Sequence, residues 1–396
     1  MPFRCFLLCI VTFYASAVAA KPATDTLWTF TTGGKIFSTP AHWGDTLYAG
    51  STDSCLYAVS ASEGRLLWKY KTGGPIQSEP LATREAVFVY SSDGHLQRVN
   101  RSNGKREWLV FLSREAAIDT WDYYRSAPVI KDNMLLMGCG NGEIYALSAA
   151  NGQKIWTFRA GDPVHSKGLV DGNSFYVGSF GGKLYALNLR NGRLQWMFKA
   201  IGNRYFREGA FQQPPVLQDS VLYIGSRDYN LYAVHARQGH GIWNYREKDS
   251  WFIATPLVYE GRVYTGTSDS HRFVAFHAES GEPLWSHPLN MRVYGQALAV
   301  DSVVYFGCFN GHLYGLHYRS GEKQLDFTTI GSRQHSTEVY DAEGHFRSDF
   351  QLYGPDGDAA EAKILSLGAI TAKPLLLNGR LYFGSTDGRV YAMPLQ

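Results

Sequence analysis

Short runs of alternating apolar and polar residues, separated by tight turns, recur along most of the chain. In the clearest copy, residues 175–179 and 183–188 are rich in aromatic and aliphatic side chains, as β-strands are. Gly181 and Gly182 separate these two strands, and Asn191 and Gly192 form a second turn that leads to a strand ending near Trp196. Three strands would leave an apolar face in water, so the pattern predicts a unit that packs against copies of itself.

The copies recur with a period of about 40 residues. Six tryptophans each lie four residues after a glycine, and Leu325 takes the same place after Gly321. The six are Trp68, Trp108, Trp156, Trp196, Trp243 and Trp285. Short strands at this period are typical of four-stranded propeller blades, whereas helical solenoids would need helical spacing.

Closure of a ring is indicated by the two ends of the repeat array. The last copy has no tryptophan strand, but a matching strand with Trp28 stands near the start of the chain. We therefore expect an all-β, eight-bladed β-propeller of four-stranded antiparallel blades, closed by the N-terminal strand so that no strand edge is left free at the junction.

The first 20 residues have the pattern of a secretory signal peptide. Arg4 precedes an apolar run at residues 6–14, and small residues follow at 15–20. Residues 21–396 are then expected to form one propeller domain, with residues 328–371 as a long inserted loop. No later stretch is apolar for long enough to span a bilayer, so we expect a periplasmic or secreted monomer without a transmembrane span.

The net charge bears on the class of binding partner, and the cysteines bear on disulfide bonding. The formal net charge is only +3, which gives no electrostatic footprint for nucleic-acid binding. Cys139 and Cys308 belong to repeats on opposite sides of the predicted ring, so together with Cys55 they are expected to remain free thiols.

Departures from the repeat are the candidate functional positions, because the recurrent residues explain only blade packing. Five long connections should emerge on one face, at residues 109–125, 199–212, 244–253, 286–294 and 328–371. They carry aromatic residues beside arginines, a combination that can stack rings and pair with carboxylate or phosphate groups. The candidate binding residues are Trp121, Tyr123, Tyr124, Arg125, Arg204, Tyr205, Arg207, Trp251, Arg292 and Tyr294.

The alternative for these residues is that the loops pack on each other over the channel. Against it, Trp121 and Trp251 do not occupy the repeat position that packs blades, so their replacement should leave the fold nearly unchanged. Seven of the candidates are expected to face one shared opening: Trp121, Tyr124, Arg125, Arg204, Arg207, Trp251 and Arg292.

The largest loop shows no metal site. Residues 341–344 predict a hairpin turn and residues 358–367 a short helix. Asp356, Asp358 and Glu361 lack the ligand spacing of a calcium-binding loop, and the histidines form no zinc pattern. No residue is assigned as catalytic, although Asp119, Asp122, Glu208 and Asp249 could supply acid–base chemistry.

Units such as residues 47–53, with 56–59 and 64–68, resemble the repeats of the pyrroloquinoline quinone (PQQ) family. The resemblance covers nearly all of residues 21–396 and implies the eight-bladed fold. The family includes quinone-dependent alcohol dehydrogenases, which hold the quinone beside calcium with a carboxylate base and a vicinal disulfide. It also includes cofactor-free scaffolds such as the propeller subunit of the outer-membrane assembly machinery. The present sequence has no adjacent cysteines.

Two functions follow. The favoured one is an exported, non-catalytic scaffold without a cofactor that presents an aromatic and basic channel mouth to a protein segment or glycan during envelope protein assembly. The alternative is a PQQ-dependent dehydrogenase with quinone and calcium in the channel.

Overall fold

A computed structural model describes residues 26–395, and in it the apolar runs of the sequence form the buried strands. In β16 (Lys183–Asn188) the four central residues are all buried. In β17 (Leu194–Lys199) exposed and half-buried residues alternate, as expected for a strand with one face in solvent. The signal-peptide prediction lies outside the described residues, and the division into domains stays a prediction.

The described residues form eight four-stranded antiparallel sheets, which confirms the eight-bladed propeller. The first strand in the chain, β1 (Trp28–Thr31), belongs to the eighth blade. The first blade contains β2 (Ala41–Trp43), β3 (Thr46–Gly50), β4 (Cys55–Ser60) and β5 (Leu66–Lys71). The second contains β6 (Leu81–Ala82), β7 (Ala86–Tyr90), β8 (His95–Asn100) and β9 (Arg106–Phe111). The third contains β10 (Val129–Lys131), β11 (Met134–Gly138), β12 (Glu143–Ser148) and β13 (Lys154–Arg159).

The remaining blades follow the same order. The fourth contains β14 (Leu169–Asp171), β15 (Ser174–Gly178), β16 and β17. The fifth contains β18 (Val216–Gln218), β19 (Val221–Gly225), β20 (Asn230–His235) and β21 (Gly241–Arg246). The sixth contains β22 (Leu257–Tyr259), β23 (Arg262–Gly266), β24 (Arg272–His277) and β25 (Pro283–Pro288). The seventh contains β26 (Leu298–Val300), β27 (Val303–Gly307), β28 (His312–His317) and β29 (Lys323–Thr328). The eighth contains β30 (Leu375–Leu377), β31 (Arg380–Gly384), β32 (Arg389–Pro394) and β1.

The repeat tryptophans join neighbouring blades. Trp156 of the third blade donates its indole N–H to the Leu189 carbonyl of the fourth at 3.0 Å. Its ring lies against Gly192, which has a φ of 70°, and a Cβ at that glycine would stand 2.5 Å from the ring. Glycine is therefore required at this turn by both the backbone conformation and the close approach. The same indole-to-carbonyl bond is made by Trp28, Trp68, Trp108, Trp196, Trp243 and Trp285.

Ring closure by the N-terminal strand is confirmed. β1 pairs antiparallel with β32, with Trp28 opposite Ala392 and Thr31 opposite Arg389. The first strands of neighbouring blades contact one another, β2 with β6 and β10 with β14 for example, so they surround the ring axis.

The insertion after the seventh blade contains two helices, α1 (Ile330–His335) and α2 (Gly357–Ser366), with a 3₁₀ turn at Ser336–Glu338. A bridge between Tyr340 and Phe346 closes the predicted hairpin turn, and α2 confirms the predicted helix. The sequence reasoning missed α1. Among residues 26–395, no helix is long and apolar enough to cross a membrane.

Candidate functional site

The five long connections meet at one end of the ring axis. Trp251 makes edge contacts with Trp121 at 5.8 Å and with Phe206 at 4.9 Å between ring centroids, which joins three of the loops. An ion pair between Arg292 and Glu361 joins the other two. We call this assembly the plug; its members are Trp121, Tyr123, Phe206, Trp251, Arg292 and Glu361.

Arg292 is the buried centre of the plug, with 1% of its surface exposed. Its Nη2 lies 2.5 Å from Glu361 Oε2, which α2 carries into the axis, and 2.9 Å from the Tyr123 hydroxyl. The Tyr123 hydroxyl also donates to the Glu361 carboxylate. The guanidinium carbon stands 4.5 Å from the centroid of the Phe309 ring. A buried guanidinium is tolerated only when it is paired in this way, so these residues form a structural cluster.

A second buried cluster is centred on His165, in the segment before the fourth blade. Its Nε2 lies 3.0 Å from Glu115 Oε2 and its Nδ1 lies 2.9 Å from Asp122 Oδ2. All three side chains are fully shielded from solvent. Glu115 also accepts the Gly140 N–H at 2.9 Å and the Tyr90 hydroxyl at 2.5 Å.

The protonation of this cluster follows from its contacts. Burial by itself would raise the pKa of Glu115 and of Asp122, but hydrogen bonds and charge attraction from His165 outweigh it, and both pKa values are lowered. Burial would lower the pKa of His165, but its hydrogen bonds to the two carboxylates outweigh it, and this pKa is raised. The geometry therefore favours an imidazolium held between two carboxylates.

Asp119 is likewise held by a cation. Its carboxylate forms an ion pair with Arg227, whose Nη2 also donates to Gln212 Oε1 at 2.9 Å. The Arg227 guanidinium lies 4.7 Å from the Trp251 ring centroid, which ties this pair to the plug.

The structure divides the ten predicted binding residues into three groups. Half of them are buried: Tyr123, Arg125, Trp251, Arg292 and Tyr294. Trp121 and Tyr124 are half-buried, and Arg204, Tyr205 and Arg207 are exposed. The expectation that seven of them face one shared opening is wrong, because Arg125, Trp251 and Arg292 are buried where the loops fold over the axis and pack against each other. Whether any of them binds a ligand stays a prediction.

Trp251 is the clearest correction. With 6% of its surface exposed, it packs between Trp121, Phe206 and the Arg227 guanidinium. It is a packing residue although it stands outside the repeat position, so its replacement is now expected to destabilise the fold. Interpreting the loops as packed on each other is correct for this side chain.

Beside the plug, the channel contains a cavity of about 280 Å³. Every blade contributes to its wall the residue at the same repeat position, just before the first strand. These eight residues are Thr39, Glu79, Ala127, Lys167, Pro214, Thr255, Gln296 and Lys373.

Sequence reasoning missed His165, Lys167 and Lys373, because one histidine or lysine in a chain carries no signal by itself. Aligning the repeats would have found them. His165 takes the position of Gln77 in the second blade, and both lysines take the position of Glu79. Polar residues at these repeat positions are directed to the axis by the fold.

The side chains at the axis do not fit a calcium-bound quinone. Glu361 is paired with Arg292, Asp119 with Arg227, and both Glu115 and Asp122 with His165. Calcium needs several oxygen ligands that are free to turn towards it, and these carboxylates are already committed to cations. Within residues 26–395, no group of three or more His, Cys, Asp or Glu side chains is arranged to hold a metal ion.

Comparison with solved structures shows the same fold in proteins of very different sequence. BamB from Moraxella catarrhalis matches with a TM-score of 0.71 at 17% identity, covering 93% of this chain and 99% of that one. The computationally designed Ika8 protein matches with a TM-score of 0.68 at 13% identity, covering 94% and 99% of the two chains. Quinohemoprotein alcohol dehydrogenase from Comamonas testosteroni matches with a TM-score of 0.70 at 14% identity, covering 94% and 76%.

Comparison with protein families is more specific. No curated protein sequence matches this chain significantly. The model of a PQQ-repeat family, described as outer membrane protein assembly factor BamB, matches residues 15–157, 121–204 and 203–349. These segments span most of the chain, and the eight closed blades agree with them. The chain therefore belongs to the PQQ-repeat family of the outer membrane protein assembly factor BamB.

Proposed function

We propose that this protein is an exported, non-catalytic scaffold that holds a protein segment during protein assembly in the cell envelope. The contact surface in this proposal is the loop at residues 199–212, which follows the fourth blade. Family membership supports the scaffold role, and the exposed side chains of this loop support the choice of surface.

The observation that carries the proposal is an exposed apolar and basic surface on an anchored loop. Ile201 is 68% exposed and Tyr205 is 69% exposed. The Arg204 guanidinium lies 5.6 Å from the Tyr205 ring centroid, and Arg207 is also exposed. Tyrosine and arginine are enriched among the residues that dominate protein interfaces.

The loop is held in place beneath these side chains. Asn203 Oδ1 accepts the backbone N–H groups of Tyr205 at 2.8 Å and Phe206 at 2.7 Å. The Gly202 N–H donates to Asp228 Oδ2 at 2.9 Å, and Phe206 packs into the plug. Because the backbone is already ordered, a partner that binds here would lose little conformational entropy in the loop. Two exposed arginines favour a segment that combines apolar and acidic residues.

The test is a pair of isoleucine and tyrosine substitutions with a matched control. We expect Ile201→Ala with Tyr205→Ala to lower the amount of assembled outer-membrane protein in the producing cell without changing the melting temperature. If both are interface anchors, partner binding should weaken by about 2 kcal/mol or more for each. The control is Ile155→Ala on β13 of the third blade, where the side chain is 53% exposed but is not part of this loop.

A photo-crosslinking residue at position 205, compared with one at position 155, identifies what contacts the loop. A discrete protein adduct at position 205 alone is the expected result. An adduct that resists protease but is cleaved by periodate would assign a glycan instead. Assembly that is equally normal in the double variant and the control would contradict the proposed contact surface.

A PQQ-dependent dehydrogenase is the second candidate, because quinohemoprotein alcohol dehydrogenases share the fold. The carboxylates at the ring axis are already paired with cations, and this argues against a dehydrogenase that holds calcium there. Addition of quinone and calcium to the purified protein should therefore give no alcohol-dependent dye reduction. Activity that follows the added quinone would favour this candidate over the scaffold.

A further inference from the structure

The central cavity is lined by cationic and donor groups that the scaffold proposal does not use. We propose that it binds a small organic carboxylate. The site is separate from the loop at residues 199–212, so this inference goes beyond the proposed function and does not depend on it.

The charges on the cavity wall are not balanced. Lys167 Nζ lies 2.7 Å from Glu79 Oε1, so one ammonium and one carboxylate on the wall neutralise each other. Lys373 has no carboxylate within ion-pair distance among residues 26–395. Burial lowers its pKa; Glu79 opposes this effect and the charge of Lys167 adds to it. Arg125 also lines this wall, but its Nη1 stands 3.4 Å from Asp122 Oδ2, so Lys373 is the cation there that no carboxylate balances.

Two buried donors on this wall also have no partner. They are Arg125 Nε and Ser38 Oγ. Arg125 is 7% exposed and Ser38 is 5% exposed, so bulk water cannot supply the hydrogen bonds that these donors lack. Unpaired buried donors are rare because each one costs the free energy of its lost hydration. Their presence on one cavity wall, next to the unpaired Lys373, points to an acceptor that occupies the cavity.

The wall favours a carboxylate on an organic body over an inorganic phosphate. Phe37, Ala127 and Tyr294 give the cavity apolar faces. No residue of either described helix lines it, so it lacks the helix N-terminus that commonly holds phosphate. A volume of about 280 Å³ is large enough for a small ring that carries one carboxylate.

The experiment is titration of the purified chain with benzoate by calorimetry at constant ionic strength, with acetate and inorganic phosphate as comparison probes. We expect benzoate to bind more tightly than either, because only benzoate fills the apolar faces and also meets the cations. Lys373→Met should weaken benzoate binding by about tenfold or more, as expected when a charged hydrogen-bond donor is lost. Lys105→Met, at an exposed outer turn, should leave it unchanged.

A second substitution guards against an effect on the fold. Ser38→Ala removes an unpaired donor without changing charge and should also weaken benzoate binding, while the melting temperatures of both variants stay close to that of the parent. The proposal is overturned if the parent does not bind benzoate, if phosphate binds more tightly, or if Lys373→Met binds benzoate as well as Lys105→Met does.

Discussion

At the residue scale, the same side-chain types serve two different purposes in this protein. Tyr205 and Arg204 are exposed on a loop, whereas Tyr123 and Arg292 are buried in the plug. Aromatic and arginine residues suit both settings, because a planar cation can stack on a ring at an interface and in a core. Burial therefore decides which of them can meet a partner.

The buried His165 predicts a pH dependence of stability. Its pKa is raised above the ordinary value of 6.5, so its contribution is fully present below pH 6.5 and is lost as the pH rises through the folded value. The pKa values of Glu115 and Asp122 are lowered, so their contributions are lost as the pH falls through the folded values. We expect His165→Gln to lower the free energy of unfolding more at pH 6 than at pH 9, by on the order of 1 kcal/mol or more.

Urea unfolding of the parent and the variant at both pH values measures this difference. His345→Gln is the matched control, because the His345 side chain is 80% exposed. A difference for His165→Gln that is the same at pH 6 and pH 9 would mean that the imidazole is neutral in the folded protein.

At the element scale, the residue at the outer tryptophan position of each blade finds its packing partners in the next blade. The one repeat without a tryptophan illustrates this. A repeat tryptophan packs on the hairpin glycine of the next blade, but in the eighth blade β32 and β1 come from opposite ends of the chain and share no hairpin. Leu325 therefore packs instead into the apolar cluster that contains Phe383 and Tyr391.

Deletion of residues 26–30 should open the ring. It removes most of β1 and leaves the edge of β32 unpaired. It also removes Trp28, whose indole donates to the Ala61 carbonyl of the first blade at 3.0 Å. Loss of a large aromatic residue from a packed site costs about 3–5 kcal/mol, and we expect at least that fall in the free energy of unfolding.

The variant Trp28→Phe distinguishes the contribution of strand pairing from that of the indole hydrogen bond. It keeps β1 and an aromatic ring, so it should cost only about 1 kcal/mol. Denaturant unfolding of both variants gives the comparison. A shortened chain that unfolds like the parent would show that β1 does not close the ring in solution.

At the scale of the whole molecule, the plug joins loops that are distant in the chain. Tyr123 and Glu361 are 238 positions apart and meet through one hydrogen bond. Arg292 bonds to both of them, so one buried ion pair and the hydrogen bonds of Tyr123 link the loops after the second, sixth and seventh blades. Such a link resists separation of one side of the ring from the other.

Glu361→Gln should therefore destabilise the protein strongly. The substitution leaves the Arg292 guanidinium buried without its counter-charge, which typically costs about 3–5 kcal/mol. Glu343→Gln in the exposed turn of the same insertion is the control and should have little effect. Thermal and urea unfolding of the two variants measure the difference.

A double substitution distinguishes the lost ion pair from lost packing. Arg292→Met with Glu361→Leu removes both charges and should recover much of the stability lost in Glu361→Gln, because paired apolar residues often replace a buried ion pair at little cost. If the double variant is less stable than Glu361→Gln, packing around the guanidinium, including its contact with Phe309, is the larger contribution.

The sequence by itself determined the blades, their number and their closure. Trp156 and Gly192 specify how one blade meets the next, and Trp28 marks the strand that completes the ring, because these packing rules are local and recur in every repeat. The loops obey no such repeat. Only the tertiary structure decided that Trp251 is buried while Tyr205 is exposed, because their contacts come from loops far apart in the chain. Aligned repeats place Lys373 at a position that recurs in each blade, but only the tertiary structure decided that these positions line a cavity, since closure of the ring is what brings all eight together.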